Sequence, residues 1–76
     1  MSNYDEEELF ERAGTAYRKA GGNMQPNKYE STVEEIDGVI YSVLRNVNGI
    51  LAVYKYNPEK DRLTGLKEWP AALESN

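Results

Sequence analysis

Two sets of side chains in this sequence have the chemistry to act on something. Glu34, Glu35 and Asp37 are clustered hard-cation ligands, and Tyr41, Tyr54 and Tyr56 stand near Arg45, Lys55 and Arg62. Carboxylate oxygens at the right spacing hold calcium or magnesium. Aromatic rings beside cations stack on exposed bases and meet phosphates. The metal reading fails on geometry. Adjacent strand residues point to opposite faces, and the spacing is not that of an EF-hand loop. The nucleic-acid reading meets a formal net charge of −4, which argues against a broad phosphate-binding surface. A third set, Asp5, Glu6, Glu7, Glu8 and Glu11, has the charge of an acidic inhibitor that enters a partner's basic groove. The same acids also suit the positive end of a helix dipole.

Other chemistry is excluded by what is missing. The chain has no cysteine and no histidine, so disulfides, the common zinc-ligand sets and the commonest general base are gone. GGNMQPNK (21–28) is glycine-rich, but it follows a helix and lacks phosphate-loop spacing. No serine or threonine stands beside a candidate base in a nucleophile motif. The expectation is a non-enzymatic protein with no catalytic residue, cofactor or metal.

The elements that position these residues centre on 39–56, VIYSVLRNVNGILAVYKY. Asn48-Gly49 between apolar, β-branched runs is a strong hairpin signal. A tight turn at that dipeptide sets Val47 opposite Ile50, Arg45 opposite Ala52, Val43 opposite Tyr54 and Tyr41 opposite Tyr56. Alternation then gives one face to Val39, Tyr41, Val43, Arg45, Ile50, Tyr54 and Tyr56, and the other to Ile40, Leu44, Leu51, Val53 and Lys55. Neither face is polar, so both should touch something.

Before the hairpin, Leu9, Phe10, Ala13, Ala16, Tyr17 and Ala20 recur at helical spacing. Ser2 or Asn3 reads as the N-cap and Gly21-Gly22 as the stop, for a helix over about 4–20. Gly14 suggests close approach to the sheet. Tyr29 to Ile36 reads as an edge strand joined to the next by Asp37-Gly38. After Tyr56, Asn57-Pro58 starts a turn. Residues 62–68 form an optional fourth strand. Trp69 to Leu73 is either a strand end or a short helical turn, and 74–76 a frayed tail. The acids are uneven: residues 1–38 hold nine acids and four bases, and 39–76 hold four and five.

These signals give one α+β domain over residues 1–76, with an N-terminal helix packed on a three- or four-stranded antiparallel meander. A domain this small buries only about 60% of its unfolded surface, so partners often stabilise it. No apolar run is long enough to cross a membrane, and the acidic start is unlike a secretion leader, so a cytoplasmic setting is expected. The helix stripe matches the aliphatic face. The tyrosine face is left, and the C-terminal segment with Trp69 and Leu63 is expected to cover part of it. The rest is open to a protein partner or a second copy in a homodimer, with Tyr41, Val43, Arg45, Tyr54 and Tyr56 as the partner-binding residues. Single-stranded nucleic acid on the same face is the alternative.

Overall fold

Asp5 starts the helix. Its carboxylate accepts the backbone N–H of Glu7 at 2.9 Å and of Glu8 at 3.3 Å, the work of an N-cap. The computed structural model describes residues 4–74. The expected Ser2 or Asn3 cap lies outside that range, as do Ser75 and Asn76 of the expected tail. Helix α1 (Glu6–Lys19) carries Glu6, Glu7 and Glu8 in its first turn and Arg18 and Lys19 in its last, as the dipole favours. It stops in a Schellman motif. Gly22 N–H donates to the Tyr17 carbonyl, Gly21 N–H donates to that of Arg18, and Gly21 takes a φ of +96°.

The chain is α+β, as expected, with α1 packed on one four-stranded antiparallel sheet in the order β1-β2-β3-β4. The strands are β1 (Thr32–Ile36), β2 (Val39–Asn46), β3 (Gly49–Asn57) and β4 (Arg62–Leu66), and a 3-10 turn follows at Ala71–Leu73. The strand expected from Tyr29 begins only at Thr32, because Asn27 builds a turn first. Its side chain accepts the N–H of Tyr29 at 2.7 Å and its carbonyl that of Ser31 at 2.9 Å. Tyr29 is left 93% exposed.

The first hairpin turns as expected. Asp37 and Gly38 both take positive φ, and Ile36 pairs with Val39. The second does not. Asn46 pairs with Gly49, so Val47 and Asn48 make the bend, and the ladder slips again between Leu44 and Arg45. Two local features explain the difference. The Asn46 side chain accepts the Asn48 N–H at 2.8 Å and bends the chain one residue early. Gly49, not Asn48, then takes the positive φ of +115°, and Leu51 is the extra residue at the irregularity.

Beyond the irregularity, from Ala52 onward, the slip reverses the side chains of β3 relative to β2, while Ile50 stays on the face of Arg45. Ser42 faces Tyr54, Ile40 faces Tyr56 and Tyr41 faces Lys55. The expected register would have set the Lys55 ammonium beneath the helix, which is costly without a partner. The observed one sets Tyr54 and Tyr56 there instead. Leu9, Ile40 and Tyr56 form one buried cluster, and Ala13, Leu44 and Tyr54 a second, flanked by Phe10, Tyr17, Leu51 and Leu63. Leu63 therefore belongs to the helix side, not to the cover of the opposite face. Gly14 marks no close approach to the sheet, since a Cβ there would meet only Arg18 Nη1, at 3.7 Å.

Candidate functional site

The sheet face away from the helix takes alternate residues of each strand. β2 supplies Tyr41, Val43 and Arg45, β3 supplies Ile50, Val53 and Lys55, and β1 supplies Glu34 and Ile36. Val43 and Val53 are fully buried because Leu73, on the 3-10 turn, lies over them and is itself 0% exposed. Ile36, Tyr41, Ile50, Leu66 and Trp69 surround this trio and are only partly buried. A hydrophobic rim thus encircles a plug one side chain wide.

Beside the plug, Arg45 reaches inward. Its guanidinium donates to the Leu73 carbonyl at 2.6 Å, to Thr32 Oγ1 at 2.6 Å and to Glu34 Oε2 at 3.4 Å. The side chain is 10% exposed. Its backbone is engaged as well: the Arg45 N–H donates to Ser31 Oγ, and its carbonyl accepts the Asn27 N–H. Arg45 joins β1, β2, the 21–31 loop and the C-terminal turn. The Trp69 indole Nε1, next to the plug, is buried with no partner among the described residues.

The structure does not gather the five expected binding residues on one surface. Tyr41, Val43 and Arg45 lie on this face. Tyr54 and Tyr56 lie under α1 and are 8% and 6% exposed. The continuous tyrosine face is therefore corrected to an aliphatic socket with Tyr41 and Trp69 at its rim. The cause is the hairpin slip alone, since β2 and β1 point as expected.

Tyr56 belongs to a second polar node. Asp61, at a φ of +51°, accepts from Arg12 Nη1 at 2.7 Å and from the Tyr56 hydroxyl at 2.7 Å, and its carbonyl accepts from Arg12 Nη2 at 2.9 Å. The Arg12 guanidinium stands 5.8 Å from the Tyr56 ring centre, and the Tyr4 ring meets Tyr56 edge-on at 6.1 Å. Hydrogen bonds from Arg12 and then Tyr56 hold the Asp61 carboxyl below its ordinary 3.8. The hydrogen bond to Asp61 raises the Tyr56 hydroxyl above 10.0. A carboxylate held ionised and a phenol held neutral form a clamp between α1 and the β3–β4 turn. They are not a proton-transfer pair poised near neutral pH.

Glu34 and Glu35 lie opposite Tyr41 and Ile40, on different faces of the sheet. Among the described residues no group of three acids is placed to hold a metal ion, and no helix is long and apolar enough to cross a membrane. Sequence reasoning missed Asp61 and Leu73. Asp61 had a signal, because Asp tolerates the left-handed backbone that ends a turn. Leu73 had none beyond being a leucine beside alanines. No protein-family model, curated protein or solved structure matches the chain.

Proposed function

We propose that the protein is a small non-enzymatic protein-binding module that works through the sheet face opposite its helix, self-association being the simplest form. One observation carries this: the partly exposed rim of Ile36, Tyr41, Ile50, Leu66 and Trp69, covered at its centre, among the described residues, by a three-residue turn. Contiguous apolar surface of this kind marks interaction sites, and burying it would stabilise a small domain. A cytoplasmic setting fits the reading, since small extracellular domains rely on cysteine staples and this chain has none.

Sedimentation equilibrium on wild type, Tyr41→Ser and Leu66→Ser tests it. Wild type is expected to dimerise reversibly with increasing concentration, and both variants less so. A strictly monomeric wild type removes self-association. Pull-downs with wild-type and Tyr41→Ser baits then address a different protein partner, and identical recoveries refute this face.

The slipped register favours a second reading. Lys55 now stands directly opposite Tyr41, and Arg62 pairs with Asn57 two residues farther along β3. A ring beside one cation, with a second farther along on β4, suits single-stranded nucleic acid, although the net charge of −4 opposes it. Titration with oligo-dT and oligo-U at low salt decides; no quenching of Trp69 eliminates this reading.

A further inference from the structure

The plug in this face is part of the chain itself, and its mode of attachment is that of a ligand. Leu73 enters an apolar socket floored by Val43 and Val53, and all three are 0% exposed. Its main-chain oxygen accepts from Arg45 at 2.6 Å. That guanidinium is nine-tenths buried and is held in place from behind by Thr32 and Glu34. A fixed, desolvated donor beside a shaped apolar pocket is how proteins read a peptide: the side chain gives affinity and the main-chain bond gives register. The plug is a single 3-10 turn of three residues, Ala71–Leu73, in which the Leu73 N–H donates to the Pro70 carbonyl and the Glu74 N–H to that of Ala71. The segment also buries the Trp69 Nε1, which has no partner among the described residues, a cost that seating the turn must offset.

We propose that the Val43–Val53–Arg45 socket is a peptide-binding site occupied in cis by the chain's own C-terminal turn, and that its ligand in trans is a partner's short helical turn with a leucine and a free main-chain carbonyl beside it. Partner and tail compete, so the tail sets the affinity threshold. The inference rests on the reading that this face binds protein, and it specifies which partner chemistry the face takes. The leucine fills the space above Val43 and Val53, and the adjacent carbonyl takes the Arg45 bond. The rim of Tyr41, Ile50 and Leu66 covers the flanks of the incoming segment.

The test vacates the socket in the full chain. Leu73→Asp is titrated with an acetylated, amidated peptide of residues 67–74, followed by backbone amide shifts, with wild type titrated alongside. The variant is expected to bind at least about tenfold tighter than wild type, whose own turn competes at high effective concentration. The shifts should centre on Val43, Arg45 and Val53. The same peptide carrying Leu73→Asp should not bind. Adding Arg45→Lys to the vacated chain should weaken binding by about tenfold, the worth of one charge-assisted bond. Two results overturn the proposal: a folded Leu73→Asp chain that ignores the peptide, or equal binding by wild type. If Leu73→Asp does not fold, Leu73→Ala takes its place. Should neither fold, the turn is a permanent part of the core and the proposal fails. Tyr41-dependent association of the wild type, measured separately, stands or falls without regard to these outcomes.

Discussion

Replacing Arg45 by alanine separates a structural hub from a contact residue. The guanidinium gives the Leu73 carbonyl its charged donor at 2.6 Å. Losing that donor at a buried acceptor costs about 1.5–3 kcal/mol. The bond to Thr32 ends on an exposed residue, and the Glu34 pair, with Glu34 27% exposed, is worth about 0–1 kcal/mol. The aliphatic stem also leaves the socket wall. The sum is about 2–4 kcal/mol. A domain of this length has about 4–11 kcal/mol in all, so Arg45→Ala should lose a large part of its stability. Urea unfolding followed by far-UV circular dichroism measures the loss, and Trp69 emission reports whether the C-terminal turn leaves the sheet. Arg45→Lys should recover part of the stability but not the forked geometry. A loss under about 0.5 kcal/mol with unchanged Trp69 emission would show that the guanidinium is free to serve an outside partner, contrary to its internal bonds.

Gly14→Ala is expected to stabilise by about 0.5–1 kcal/mol, read as a rise in melting temperature, because a Cβ has room and the helix gains propensity. Gly22→Ala should destabilise, since its Cβ would collide with the Tyr17 ring; truncating Tyr17 in the same chain should remove most of the penalty. The lowered carboxyl of Asp61 stabilises the fold above its unfolded pKa, and that contribution disappears as pH falls through the folded value. The raised hydroxyl of Tyr56 stabilises below its unfolded pKa, and its share disappears as pH rises through its folded value. Melting temperature against pH should therefore fall off more steeply at both ends in wild type than in Asp61→Asn.

The elements were legible wherever a local rule acted alone. The Leu9–Ala13–Tyr17 stripe and Gly21-Gly22 marked the helix, and Asp37-Gly38 made its turn as a two-residue bend because no neighbouring side chain competed. At Asn48-Gly49 two signals stood side by side. Asn46 offered a second asparagine whose side chain bends the backbone earlier, and dipeptide rules do not weigh that rivalry. Only packing resolves it, by favouring two buried phenol rings over a buried lysine. The site suffered most because its residues straddled that one hairpin: Tyr41, Val43 and Arg45 kept their face, whereas Tyr54 and Tyr56 lost theirs. Asp61 and Leu73 act across long stretches of chain, and spacing arguments do not reach that far.

The order of the strands governs how the chain must mature. Each pairs with its successor, so the sheet zips from hairpins that close quickly. The helix is made first, yet the surface that receives it includes Tyr54 and Tyr56 from the third strand. During synthesis its greasy stripe stays partly wet until Leu63, which packs on both helix-side clusters, has left the ribosome, and that interval, rather than any step in the finished molecule, is when a chaperone has most to hold.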